Sequence, residues 1–481
     1  MSKPADPSRF LSKFIAVNDS IDAHDLVTFG HFVATEDNLI LTHPQPVRGL
    51  DGAEAIYTNA SSGLTSIVCN DGFSESSGVI VLLPGESTHL WCQELAAETY
   101  AWIRQGKDYI PKPVALSSGD YTATWGTADP SPITALIMVH KYKGVCWVQG
   151  ELSGTDGNDS TSLTVALKNC IPQDVDVLAA FSAEQVVDGA KTANFEGYVD
   201  CADGTAANRG IIAFRNFATM TNAKAWSIKF SGSFPLYGAT AYTSTPAWTG
   251  GPPTVTSTTA VYKDVDGEIY WWLHNILSDG KATSAATFTP PVVPADLGLY
   301  TMGRGYVLVN ATYTSVQPFQ DLDNATAGSR LIGFKNLPEL TNGQACAIVA
   351  AGHYPIADHI SVTPVETFAV AMPALWTTNH KMYASKTGRI LNVHYYSTSA
   401  DGNACTDIDI PLPAVPINAE MDCLMAGYQL VNATGSNPRP YVDYSQTEGE
   451  DRATIQQGAL STFTNAVTGT LICSGELLLD A

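Results

Sequence analysis

The sequence predicts a mostly β protein of three tandem β-sandwich-like modules preceded by a small α+β N-terminal domain. Three observations predict it. Landmarks recur about every 122 residues along the later part of the chain, apolar and polar residues alternate with period two inside each recurrence, and the first stretch shares neither feature. The expected boundaries are 1–113 for an attachment domain and 114–235, 236–356 and 357–481 for the three modules.

Within 1–113, Asp6-Pro7 has the form of an N-cap followed by an N1 proline, opening a short helix with Phe10, Leu11, Phe14 and Ile15 on one side. A second helix is expected from about Thr88 to Gln105, where Trp91, Leu95, Trp102 and Ile103 share a face and Gly106 offers a C-cap. The prolines of Tyr109-Ile-Pro-Lys-Pro-Val114 stiffen a linker and mark the boundary.

Beyond it the repeat is carried by several landmarks. Asp-Gly pairs stand at 156–157, 279–280 and 401–402, read as hairpin turns. Gly144, Gly267 and Gly388 lie upstream of them. Downstream, Asp200, Asp321 and Asp443 each precede an arginine by nine residues, at Arg209, Arg330 and Arg452. Thr-Asn pairs follow at 221–222, 341–342 and 464–465, and Ser231-Gly232, Ala351-Gly352 and Ser474-Gly475 close the unit. Each module is long enough for its own core, and Trp226-Ser-Ile-Lys-Phe230 illustrates the alternation that two packed antiparallel sheets require.

The chain carries 25 Lys+Arg against 47 Asp+Glu, a formal charge of −22, so a phosphate backbone is repelled and nucleic acid is not an expected partner. Nine cysteines form no C-x-x-C pair and are odd in number, so they read as small buried hydrophobes, not as a zinc ribbon or a disulfide framework. Neither an apolar signal-peptide core nor an uninterrupted apolar span is present, so cytoplasmic synthesis without a membrane anchor is expected.

Catalytic motifs are missing. Gly85-Glu-Ser-Thr-His89 lacks the second glycine of a nucleophile elbow. Asp156-Gly-Asn-Asp159 has calcium-ligand chemistry, but the second copy puts Lys281 where a ligand would stand. The histidines do not recur in register, so no metal or cofactor is expected. The Asp200/Arg209, Asp321/Arg330 and Asp443/Arg452 recurrence reads as a structural pair or turn clamp, since a glycosidase needs two carboxylates about one bond.

One face has the composition of a recognition surface. Counted from the Asp-Gly turns, even offsets give an apolar core face (Cys146/Val148, Ile269/Trp271/Leu273, Leu391/Val393/Tyr395). Odd offsets give Trp147/Gln149/Glu151, Tyr270/Trp272/His274 and Asn392/His394/Tyr396. From these, Trp147, Tyr270, Trp272, His274, His394 and Tyr396 are candidate binding residues, with burial between sheets or modules as the competing reading.

The general plan, with units such as Gly305-Tyr-Val-Leu-Val-Asn-Ala-Thr312, resembles a bacteriophage virion appendage of the tail-fibre or head-decoration type. The resemblance implies assembly in a host cytoplasm, display on the virion, contacts with other virion proteins, self-association as trimers, and binding of a host-surface glycan or protein. The expected function is therefore non-enzymatic and structural. A polysaccharide depolymerase with scattered carboxylates and a cellular adhesin are the alternatives.

Overall fold

The computed structural model describes residues 12–479 except 29–30, 48–49, 51–52, 62–64, 70–72, 74–78, 83–86, 97–98, 106–112, 169, 203–208, 237, 245, 325, 357–377, 400–409, 415, 432–433, 437, 446–453 and 459–467. The protein is mostly β. Two compact units divide it, Met1–Pro111 and Lys112–Ala481.

In the first unit the first six strands alternate between two sheets. Ser12–Ile15, His31–Ala34 and Glu54–Asn59 pair in parallel in one sheet, and Asp19–Ser20, Leu39–Thr42 and Thr65–Val68 do so in the other. A chain that revisits two sheets in turn winds as a coil, and its inward residues Phe32, Leu41, Tyr57 and Ile67 fill the space between. Ala23–Thr28 is a short helix. The helix expected near the N-terminus falls partly outside the described residues, and its last two positions, Phe14 and Ile15, lie on the first strand.

The helix expected over Thr88–Gln105 is instead a pair of antiparallel strands, Ser87–Ala96 and Thr99–Gln105. Thr88, Leu90 and Cys92 are buried while His89 and Trp91 between them are half-buried, a period of two. Trp91 and Trp102 thus belong to different strands, where Trp102 donates its indole N–H to the Pro44 carbonyl at 2.9 Å.

The second unit repeats one strand order. In the first stretch the central neighbours run Thr134–Tyr142, Val145–Gly154, Trp226–Pro235, Leu178–Val187. In the second they run Thr254–Val265, Glu268–Asp279, Cys346–Pro355, Arg304–Val309. In the third they run Thr378–Thr387, Ile390–Ser399, Gly469–Leu478, Ala426–Val431. The central hairpins turn through two residues, Lys143-Gly144, Asp266-Gly267 and Gly388-Arg389; in the first two, positive φ at both residues (45° and 85°, 55° and 84°) matches the twist of the flanking strands.

The pairs Asp156-Gly157 and Asp279-Gly280 are therefore not hairpin turns. Asp156 accepts N–H bonds from Asn158 and Ala223 at 2.9 and 2.7 Å, and Asp279 accepts from Lys281 and Gly343 at 3.0 and 2.7 Å. Each aspartate so clamps its own turn to the residue after a Thr-Asn pair, which explains why the two landmarks recur together. A Cβ on Gly157 or Gly280 would lie 2.5 or 2.8 Å from the Cβ of Met220 or Leu340, so the close crossing demands glycine. The third copy, Asp401-Gly402, lies outside the described residues.

One apolar cluster runs from the first stretch into the third, joining Phe181, Phe230 and Phe234 to Val393, Leu471 and Leu477, while the second stretch has its own cluster around Trp271, Phe288 and Tyr354. Tyr270, Trp272 and Val349 of the second stretch nonetheless belong to the shared cluster. Residues 237–356 expressed alone would bare these groups together with Glu268, Arg304 and His353. We expect that fragment to aggregate or self-associate in size-exclusion chromatography; a soluble monomer with a dispersed amide spectrum would show that it does not need its neighbours.

Candidate functional site

Four of the six candidate face residues, Trp147, Tyr270, Trp272 and His394, lie where the three stretches meet. The hairpins set equivalent positions: Trp147, Tyr270 and Asn392 occupy one, Gln149, Trp272 and His394 the next on the same face. Their ladder partners across the sheet are Ser233, His353 and Glu476 for the first set, and Ser231, Ala351 and Ser474 for the second. One strand further, Ser182, Arg304 and Ala426 correspond.

Contacts between the stretches follow these sets cyclically. Gln149 of the first donates its amide N–H to the Glu476 carbonyl of the third at 2.8 Å, and Trp272 of the second donates to the Ser233 carbonyl of the first at 2.9 Å. His394 of the third sits against His353 of the second, ring centroids 4.6 Å apart. Each stretch thus offers the same position to the same position of another. Trp147 meets Tyr270 edge-on at 5.2 Å, and the Tyr270 hydroxyl donates to Asn392 at 2.8 Å.

Trp147, Tyr270, Trp272 and His394 are accordingly buried, so an open recognition surface made of them is corrected to an internal junction. His274 and Tyr396 are half-buried, Tyr396 beside Tyr300 with centroids 4.9 Å apart. Alternation alone does not distinguish these outcomes, because a face that meets another sheet and a face that meets a ligand both favour aromatics.

The Asp/Arg recurrence separates into two devices. Asp200, Asp321 and Asp443 accept N–H bonds from Ala202, Asp323 and Ser445 at 2.8, 3.0 and 2.9 Å, capping their own turns. The arginines reach other partners: Arg209 meets Asp174 at 3.5 Å, and Arg330 meets Asp296 at 2.9 Å while donating to the Pro294 carbonyl at 2.7 Å. Arg452 lies outside the described residues.

At the junction sits a polar cluster with side chains 0–5% exposed. Arg304 pairs with Glu476 and donates from Nε to the Ser182 hydroxyl at 3.2 Å, and Glu476 accepts from Ser233 at 3.2 Å. Beside it Glu268 Oε1 lies 2.7 Å from His353 Nδ1 and 3.3 Å from His394 Nε2, and Glu268 Oε2 accepts from Ser385 at 3.0 Å. The Ser474 oxygen accepts the Met302 N–H at 2.9 Å, which leaves its own proton for His394 Nδ1, also at 2.9 Å. That arrangement puts the His394 proton on Nε2, facing Glu268. His353 Nε2 has no hydrogen-bond partner among the described residues.

Burial alone would raise the Glu268 carboxyl, but the hydrogen bonds from His353 and His394 outweigh it and hold the group at about 2. Burial likewise works against Glu476, and the Arg304 charge prevails and keeps it below the usual carboxylate range. His394 is lowered by burial and by the neighbouring His353. A second buried carboxylate, Glu196, is raised by burial although Arg439 and Ser315 donate to it at 2.9 and 2.7 Å.

Such an arrangement can tie strands of different stretches together, share protons, or hold an ion. Glu268, His353 and His394 are the metal-ligand types it supplies, with one donor atom from each within 4.8 Å of the others. Demanding recurrence in register conceals this group, because its members occupy three different positions of the repeat. The visible signal is departure from the repeat: Val145 and Ile390 stand where the second copy has Glu268.

No protein-family model matches the chain, and no curated protein does. Arg304→Met or Glu476→Leu alone should cost about 3–5 kcal/mol, since each leaves an uncompensated buried charge, and the double variant should cost less than either single. Denaturant midpoints of the three proteins test this; additive losses in the double variant would show that the pair is not coupled.

Proposed function

We propose that this chain is a non-enzymatic structural protein of a bacteriophage particle, of the tail-fibre or head-decoration type. In this reading three β-sandwich-like modules, 114–235, 236–356 and 357–481, form a trimer within a single chain, and residues 1–113 attach it to other virion proteins. The observation that carries the reading is the cyclic contact rule. Gln149, Trp272 and His394 hold equivalent positions and each approaches the equivalent of Ser233 in another stretch.

Identical subunits around a three-fold axis make that kind of contact, and joining them end to end preserves it while freeing each copy to diverge. Self-association as trimers, implied by the resemblance to virion appendages, is then met inside the chain. The clustered acid–base groups of the junction, Glu268, His353 and His394, are nearly inaccessible, which suits structure at that place better than turnover of a polysaccharide. Host-surface binding falls to the outward faces of the modules, since the aromatic set is spent on the junction.

Particles lacking this protein, complemented with full-length chain or with chain deleted for 1–111, test the reading. The full-length form should be retained through purification and the truncated form lost, with both still β-rich by circular dichroism. Equal retention places attachment in the modules, and release of oligosaccharide from host envelopes by purified chain replaces the structural reading with a depolymerase.

A further inference from the structure

We infer that Glu268, His353 and His394 bind a divalent transition-metal ion of the zinc class, which locks the second stretch to the third at the junction. Two imidazoles and a carboxylate are the donors that suit such an ion, and thiolate is not required. They come from three strands, Glu268–Asp279, Cys346–Pro355 and Ile390–Ser399, so the site exists only when both stretches are folded and joined.

Four observations converge. The donor atoms lie within 4.8 Å of one another, and the 3.3 Å from Glu268 Oε1 to His394 Nε2 is the separation two donors adopt about a tetrahedral ion at roughly 2.0–2.1 Å. The donors are held from behind: Ser474, itself fixed by the Met302 N–H, orients His394 through Nδ1, and Ser385 holds the second oxygen of Glu268. Metal ligands are oriented in this way by an outer layer of hydrogen bonds. His353 is buried with Nδ1 at Glu268, and its Nε2, which has no hydrogen-bond partner among the described residues, is the nitrogen left to carry the ring proton when Nδ1 meets the ion.

The fourth observation is that the fold does not need these groups. Val145 and Ile390 occupy the place of Glu268 and are fully buried; Gln149 and Trp272 occupy that of His394, and Ser233 and Glu476 that of His353. Burying a carboxylate with two imidazoles where valine or isoleucine serves elsewhere is costly, and metal binding offsets that cost. On binding, each imidazole turns a bare nitrogen to the ion, His353 Nδ1 and His394 Nε2, and carries its one proton on the other ring nitrogen, with the Ser474 oxygen accepting from His394 Nδ1; the 2.7 Å separation between Glu268 and His353 Nδ1 opens by about half an ångström to the tetrahedral spacing. Glu476, whose charge acts on both histidines, helps to balance the ion.

The test is metal analysis of the full chain, made without a histidine tag in zinc-supplemented medium and purified without chelator. Wild type should carry one zinc per chain, and Glu268→Gln and His353→Phe should carry none. His274→Ala, a half-buried histidine of the same strand as Glu268, should retain it. If the variants do not fold, unfolded wild-type chain is renatured with Co2+, and the visible absorption of a low-coordinate site together with a raised denaturation midpoint is expected. Metal retained by Glu268→Gln or His353→Phe overturns the assignment, as does a folded wild-type chain that is metal-free and gains neither absorption nor stability on adding Co2+ or Zn2+.

Discussion

Everything in residues 112–481 depends on the burial of both faces of the central strands. A sheet usually gives one face to its core and one to water, which is why antiparallel strands alternate. Here Val148 and Trp147, Trp271 and Trp272, Val393 and His394 are neighbours on opposite faces, and all are buried. One face closes each stretch on itself and the other closes the three on one another. Large rings on the second face, Trp147 against Tyr270 and Trp272 against the first stretch, add apolar area, while the Trp272 indole N–H and the Tyr270 hydroxyl find carbonyl and amide partners.

That double burial determines how much was legible in the sequence. The recurrence was readable because its landmarks are local, but their roles were not: Gly144 and Gly267 take the positive φ of the hairpins, while Asp156-Gly157 and Asp279-Gly280, expected to be the hairpins, clamp a different turn. The aromatic and polar composition of the second face was readable too, but its destination was not, since a partner module and a ligand leave the same mark on a single strand. The strands Ser87–Ala96 and Thr99–Gln105 were misread for a related reason. Trp91, Leu95, Trp102 and Ile103 fit a helical face by spacing, and the burial of Leu90 and Cys92 against half-buried Trp91 shows the shorter period only after folding.

The polar cluster was the least legible part because it breaks the repeat. A repeated site announces itself three times, whereas Glu268, His353 and His394 each appear once, at three different positions. Their meeting depends on the register of two ladders and on the cyclic contact between stretches, neither of which is a local property. Arg304 and Glu476 share this character, with Ser182 and Ala426 equivalent to the arginine and Ser233 and His353 to the glutamate.

In the proposed reading the three stretches are joined copies of one module, and their junction then answers a difficulty that identical separate chains would face. With identical chains, an arginine near the axis would meet two other arginines, and a glutamate two other glutamates, so like charges would collect where water is excluded. Joined copies can place Arg304 in one, Glu476 in another and a serine in the third, turning a repulsive ring into a mutually satisfied set. The same freedom admits Glu268 against two histidines. The differences at the junction also make the three stretches non-interchangeable, because only one cyclic order brings Arg304 to Glu476 and His394 to His353. The buried polar groups therefore specify which surfaces meet, a role that apolar residues of similar size would leave open.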